Sequence, residues 1–405
     1  MSTATLQIEK IKTLVPQLRF KEFDEEWKQK RLGEIAKITT GSTPSTLIEE
    51  YYNGEKLFVS PADIQENRYV FKTKTTLTES GFSKGRKVAK GSVLFVCIGS
   101  TIGKIAQATE ECLTNQQINA LYATKEYDNN FIYELLEKNG VKIKLLAGVQ
   151  AVPQINKTDF SNFKYFLPTL PEQQKIASFL SAVDEKIQQL SRKKELLEKY
   201  KIGLMQQLFS GKLRFKDENG EDYADWEEKK LGDFCTFFSG GTPTSTNQKF
   251  YSGTIPFIGS GNIYDAEVFN FISEEALNSS SAKIVEKGDL LYALYGANSG
   301  ELAISKMNGA INQAILCIRN EQCIEYLYYI LLLNKDNIVA KYLQGGQGNL
   351  SAQIIKKLKY KFPSIPEQQK IANFLSNIDA KIESTTQQIT QTQSFKKGLL
   401  QQMFC

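Results

Sequence analysis

The segment from Leu170 to Ile187 returns as Ile365 to Ile382 with thirteen of 18 positions identical, at an offset of 195 residues. The match continues from Gly203–Phe209 to Gly398–Phe404. A second set of anchors pairs Trp27, Leu32, Gly33 and the turn Gly41 to Thr46 with Trp226, Leu231, Gly232 and Gly240 to Ser245, at an offset of 199. A repeat of this length excludes a single continuous core and calls for two equivalent globular units, which 405 residues of 41% hydrophobic content can fill. Between the anchors the halves differ almost completely, apart from echoes such as Asn115-Gln116 against Asn312-Gln313.

The repeat is circularly permuted. Leu18-Arg-Phe-Lys21 resembles Leu213-Arg-Phe-Lys216, which directly follows the first long helical segment, whereas the second such segment closes the chain. If the halves are equivalent, the stretch around Arg19 should lie beside the C-terminus, as the stretch around Arg214 lies after the first helix.

Both repeated segments carry a helical stripe. In the first, Ile176, Leu180, Val183, Ile187, Leu190 and Leu197 fall at alternating steps of three and four; in the second, Ile371, Leu375, Ile378 and Ile382 do the same. Lys194 and Lys201 interrupt the first stripe, and Thr385, Thr392 and Lys396 weaken the second. Pro followed by Glu suits a first helical turn, where the missing amide is not needed and the carboxylate meets the positive end of the dipole. Each rod runs roughly 38 residues, or about 57 Å. An isolated stripe is equally compatible with a helix packed on its own domain. Two matched stripes, one after each globular half, predict an antiparallel coiled coil that holds the halves a fixed distance apart.

The remaining sequence reads as α+β. Strands are expected at Glu34 to Thr39, Leu57 to Ser60, Val93 to Ile98, Ile118 to Ala123 and Phe163 to Leu167, with a helix at Phe131 to Leu146. The second half repeats the scheme with strands near Phe234 to Phe238, Leu290 to Leu294 and Ala314 to Ile318, and a helix near Glu325 to Leu333. The organisation is therefore a 1–16 tail, globular domains at 17–169 and 210–364, and helices at 170–209 and 365–405.

Absences narrow the chemistry. The chain has no histidine, which removes the commonest general base and metal ligand. Six cysteines at 97, 112, 235, 317, 323 and 405 form no CxxC pair, which fits reduced thiols in the cytoplasm and argues against zinc. Residues 1–15 lack the apolar centre of a secretion signal, and the longest apolar run, near Tyr326 to Leu333, is far below the roughly 20 residues that span a bilayer. Gly99 to Lys104 has three residues between its glycines where a phosphate loop has four, and Ile105 stands where the metal-binding Ser or Thr belongs. No methyltransferase or nuclease motif is found, so no catalytic residue is assigned.

Two features fit nucleic acid. Turns at 39–46, 99–101, 259–262, 295–299 and 344–349 are dense in Gly, Ser, Thr, Asn and Gln, either as ordinary turn chemistry or as groups that hydrogen-bond bases and phosphates. Arg68, Lys72, Lys74, Lys84, Arg86, Lys87, Lys90 and Lys104 face one acid, Glu79, in a strip interleaved with Tyr69, Phe71 and Phe82. That strip is equally a solvated basic face or a phosphate contact. The matching part of the second half is acidic, with Asp265, Glu267, Glu274, Glu275, Glu286, Asp289 and Glu301.

Leu18-Arg-Phe, Trp27, Leu32-Gly33, the Gly-Ser-Thr-Pro turn, Gly99 to Lys104 with Asn115-Gln-Gln117, and the duplicated Pro-Glu-Gln-Gln-Lys-Ile-Ala helix starts together resemble the specificity subunit of type I restriction-modification enzymes. The resemblance covers all but the first roughly 16 residues. It implies two target recognition domains, each reading half of a split double-stranded DNA target in the major groove, with the paired helices as a ruler for the gap. It implies two modification subunits that use S-adenosylmethionine to methylate adenine, and restriction subunits that use ATP and Mg to translocate and cleave DNA, with no cofactor and no membrane contact for this chain. Expected backbone contacts are Lys72, Lys74, Lys84, Arg86 and Lys87. Expected neighbours of bases are Thr43, Asn115, Gln116, Thr242, Asn262, Tyr295, Asn298, Asn312, Gln313 and Gln347. The alternatives that remain are an adaptor holding two protein-binding domains and a methyltransferase or nuclease with unfamiliar motifs.

Overall fold

The computed structural model describes residues 15–65, 67–147, 153–343 and 349–405. The chain divides into a first unit, formed by residues up to Lys193 together with Thr385–Cys405, and a second unit, Lys194–Ser384. Two long helices, Leu170–Phe209 and Ile365–Gln402, each contribute to both units. No helix among the described residues is long and apolar enough to cross a membrane.

In the first unit a five-stranded sheet runs in the order Ala36–Thr40, Ile118–Ala123, Val93–Val96, Ile105–Ala108, Tyr69–Val70, antiparallel except for the last pair. A smaller sheet joins Thr75–Leu77, Tyr52–Val59 and Leu113–Thr114. Lys28–Arg31 pairs with Lys164–Leu167 in a separate two-stranded clip. The second unit repeats the plan. One sheet orders Thr236–Ser239, Ile315–Arg319, Leu290–Ala293, Leu302–Ile304; another orders Phe271–Ile272, Ile255–Ile258, Gly309–Ile311, Lys283–Val285; Glu227–Lys230 pairs with Lys359–Phe362. The architecture is thus α+β, twice over.

Local physics moved several elements from their expected limits. Leu32–Ile35 is one helical turn, and the strand begins only at Ala36, because Leu32 and Ile35 bury the same face and the Glu34 carboxylate accepts from the Arg31 amide at 2.8 Å. In the second unit Leu231–Asp233 forms the corresponding tight turn and the strand starts at Thr236. The helix expected near Glu325 to Leu333 extends over Ile324–Leu343. Its first half is apolar on nearly every side, so no stripe marks its length, and Ile338 is buried one turn beyond the apolar run.

Each unit fastens its long helix with the same clasp. In the first, the Arg19 guanidinium donates twice to the Glu172 carboxylate, both at 2.7 Å, and the Trp27 indole donates to the same carboxylate at 3.3 Å. In the second, Arg214 donates to Glu367 at 3.0 and 2.8 Å, and Trp226 adds a bond at 3.1 Å. Phe20 packs edge-on against Phe179 and Phe215 against Phe374. The Leu18 amide donates to the Gln402 carbonyl at 2.9 Å, and the Leu213 amide to the Gln207 carbonyl at 3.1 Å, so the permuted stretch does lie beside the end of the C-terminal helix. Glu172 and Glu367 are buried, and a buried carboxylate stripped of its guanidinium is expensive. Arg214→Ala is therefore expected to destabilise the second unit by about 2–3 kcal/mol in urea unfolding; an unchanged midpoint would show that Trp226 alone satisfies Glu367.

The helix stripes serve two purposes. Ile176 and Leu180 lie in one core with Trp27, Phe131, Leu399 and Met403, with Val183 packed at its margin. Ile371, Leu375 and Ile378 lie in the second unit's core with Met205, Leu208 and Tyr326, and Ile382 at its margin. The seam is thus shared between helix and globular domain. Leu190 is buried, whereas Ile187 and Leu197 are half-buried. The residues expected to weaken the seam are used differently. Lys396 is buried and pairs with Asp184 at 2.6 Å and Glu137 at 2.6 Å; Lys201 pairs with Asp379 at 2.6 Å; Thr385 is buried. Arg68 also departs from the expected surface position. It is withdrawn from the basic strip, with its side chain 4% exposed, and bonds Glu134 at 2.6 Å and Asp184 at 2.9 Å.

Candidate nucleic-acid interface

Within each unit four loops meet where strands end. In the first, Gly41 follows Ala36–Thr40 and passes so close to the strand before Asn115 that a Cβ there would stand 2.0 Å from the Asn115 carbonyl oxygen. The Gly41 amide donates to Ile118 and the Ser42 amide to Thr114. The Tyr52 hydroxyl locks the turn by donating to the Pro44 carbonyl at 2.7 Å. On this base the Thr43 hydroxyl donates to the Gln116 side-chain oxygen at 2.6 Å. The Asn115 amide donates to Val59, and its side chain bonds both the Gln117 amide and the Gln117 side chain. Beside it, Asp63 accepts from the Ser60 amide at 2.9 Å, from the Ser60 hydroxyl and from the Lys74 amide at 2.8 Å.

The second unit builds the same frame from other residues. A Cβ on Gly240 would stand 1.8 Å from the Ile311 carbonyl oxygen. The Tyr251 hydroxyl donates to Pro243 at 2.6 Å, and Thr242 donates to Gln313. Asn312 accepts from the Ala314 amide at 3.0 Å, and its own amide donates to Ile258. A Cβ on Gly259 would stand 3.6 Å from the Asn262 side chain and 3.8 Å from that of Asn312, and a Cβ on Gly261 would stand 3.7 Å from that of Asn298. Burial pushes the Tyr295 phenol up, and hydrogen bonding to Gln313 opposes it.

The structure therefore brings Thr43, Asn115 and Gln116 together in one unit, and Thr242, Asn262, Tyr295, Asn298, Asn312 and Gln313 in the other. Gln347 lies outside the described residues. Among the basic candidates, Arg86 reaches this edge directly: its amide donates to the Ser42 hydroxyl at 2.8 Å and its guanidinium to the Gly41 carbonyl at 2.6 Å. Lys74 adjoins Asp63. Lys72 and Lys84 are exposed, while Lys87 lies 3.5 Å from Glu111 and over the Phe82 ring. Phe82 itself is buried and does not join a surface strip.

Two acids of the second half are paired with cations, Asp289 at the end of its sheet away from these loops and Glu301 beside them. The Arg319 guanidinium binds Asp289 twice at 2.7 Å. Glu301 accepts from both Lys335 and Tyr264; burial would raise its carboxyl, but these partners hold it below the usual range. Glu301 occupies the place of Lys104, whose ammonium in the first unit donates to the Ile64 carbonyl at 3.0 Å. The two tyrosine locks were missed from sequence, although each follows its proline by the same eight residues.

The family model described as type I restriction modification DNA specificity domain matches twice, at residues 24–199 and 223–393. The chain is 25% identical over 412 residues to the type I restriction enzyme MjaIX specificity subunit of Methanocaldococcus jannaschii, covering 94% of each. It is 24% identical over 172 residues to the Escherichia coli EcoR124I/EcoR124II specificity subunit, covering 40% of this chain and 43% of that one. The crystal structure of the type I restriction-modification S subunit from M. genitalium has the same fold, with a TM-score of 0.64 at 18% identity, covering 96% of this chain and 99% of that one.

Proposed function

The chain belongs to the type I restriction modification DNA specificity family, and from that premise we propose that each unit reads one half of a split double-stranded DNA target. The observation that carries this reading is the loop frame built twice. The Thr-Gln pair and the Tyr-Pro lock are the same at Thr43, Gln116 and Tyr52 as at Thr242, Gln313 and Tyr251, and Asn115 repeats as Asn312, while Asp63 and Thr101 in the first unit stand where the second has Asn262 and Asn298. A fixed frame with variable polar occupants is what direct readout needs, because Asn and Gln match adenine edges and the frame holds them at the groove.

In this reading Lys72, Lys74, Lys84, Arg86 and Lys87 supply salt-dependent phosphate contacts for the first unit. Asn115, Gln116, Asn262, Asn298, Asn312 and Gln313 approach bases, with Thr43, Thr242, Tyr295 and Gln347 beside them. The long helices serve as ruler for the unspecified gap and as the seat of two modification subunits, with restriction subunits joining that assembly. The chain itself is non-catalytic: S-adenosylmethionine, ATP and Mg belong to the partners. Its place is the cytoplasm, where the DNA and these partners are.

Methyl transfer to DNA carrying the target should require the methyltransferase partner and this chain together. Gln116→Ala with Asn115→Ala should relax discrimination in one half-site only, by about tenfold or more. Methylation that persists without the chain, or relaxation in both halves, would refute the assignment.

A further inference from the structure

Phe269 is 94% exposed, although its backbone is held on both sides. Val268 before it is buried, and the Asn270 carbonyl after it accepts from the Phe257 amide at 2.8 Å. Phe271 then pairs with Pro256 in the sheet. The ring is thus presented to solvent from a fixed position, which lowers the entropy cost of using it in a contact.

Its place follows from the register. The strand Ile255–Ile258 leads straight into Gly259 and Asn262, where Asn298 and Asn312 also gather. Phe269 flanks the end of that strand. In the first unit the equivalent strand pairs Phe58 with Thr75, so the residue in the place of Phe269 is Lys74. One unit puts an ammonium there and the other an uncharged ring that can neither pair with phosphate nor hydrogen-bond a base edge.

In the major groove one base carries an apolar group, the C5 methyl of thymine, and phenylalanine is among the side chains that contact it. We propose that Phe269 contacts a thymine methyl in the half-site read by the second unit, while the neighbouring asparagines take hydrogen-bonding base edges. This rests on the reading that the second unit binds DNA.

The test uses the complex with its methyltransferase partner and replaces each thymine of the second half-site in turn by deoxyuridine, which lacks only the methyl. One replacement should weaken wild-type binding about fourfold to tenfold, the worth of one buried methyl. Phe269→Ala should bind the unmodified target weaker by a similar factor and be indifferent to that replacement. Deoxyuridine in the first half-site should affect both proteins alike. The inference is overturned if Phe269→Ala binds the target as tightly as the wild type, or if no replacement in the second half-site weakens the wild type. It is also overturned if the variant is weakened yet still loses the same factor on deoxyuridine, which would assign the ring to a protein partner. A wild-type complex with no preference for the target over scrambled DNA would instead overturn the reading beneath it.

Discussion

Arg68→Ala is expected to destabilise the first unit by about 3–5 kcal/mol and leave the second unit unchanged. The guanidinium is shared among Glu134 at 2.6 Å, Asp184 at 2.9 Å, Gln107 at 2.6 Å, Ser181 at 3.0 Å and Asn130 at 3.1 Å, and stacks 4.3 Å from the Tyr133 ring. It thereby joins a sheet edge, the helix Asn129–Leu145 and the helix Leu170–Phe209. Removing it leaves Glu134, Glu137 and Asp184 with Lys396 as their remaining cation in the cluster. The second unit meets the aspartate at the repeated position differently. There Asp379 is met by Lys201 at 2.6 Å and by the Tyr329 hydroxyl at 2.7 Å. The chain has two tryptophans, Trp27 in the first unit and Trp226 in the second, so a Trp226→Phe background reports the first unit by fluorescence. A shift below about 1 kcal/mol would mean that the cluster relaxes around the gap.

The same cluster should make the first unit's stability depend on pH, with the slope removed by Glu134→Gln. Burial pushes the Glu134 carboxyl up to about 8, against the attraction of Lys396. The Lys396 ammonium stands 3.2 Å from Glu134 Oε2, yet among the described residues that oxygen accepts no hydrogen bond. Two cations facing three carboxylates leave room for one proton. The folded state holds that proton more tightly than the unfolded chain does. The stabilisation is therefore full below the ordinary carboxylate range and is lost as pH rises through about 8, with a slope approaching about 1.4 kcal/mol per pH unit between. No histidine titrates in that window, and the buried thiols are pushed higher still, Cys97 and Cys112 to about 12. Unfolding midpoints of the wild type should fall from pH 5.5 to 8, those of Glu134→Gln should stay level, and the curves should diverge with rising pH. Parallel profiles would place the proton elsewhere.

What was legible from sequence follows from the range of each interaction. The long helices were visible because their stripes and their Pro-Glu starts are local and written twice. The permuted stretch was visible because Arg19 and Arg214 repeat in matched surroundings. Lys396 and Lys201 read as flaws because periodicity counts apolar residues and knows nothing of an acid 259 residues away, as Glu137 is from Lys396. Arg68 read as a surface cation for the same reason, since its carboxylate partners lie 66 and 116 residues on. At the loops, composition revealed the Asn and Gln content, but the Thr43–Gln116 pairing spans 73 residues and only folding brings it about. Phe269 gave no signal, because exposure is a property of the packed sheet and not of residue type.

The central claim is that two independent readers share one frame. Its most direct test is methylation mapping across the genome of a host carrying this chain and its methyltransferase partner, repeated after exchanging residues 17–169 for the corresponding domain of another family member. The expected result is a split adenine-methylated motif whose first half changes on exchange while the second half and the gap stay as they were. A continuous motif, a change in both halves, or no change at all would contradict it.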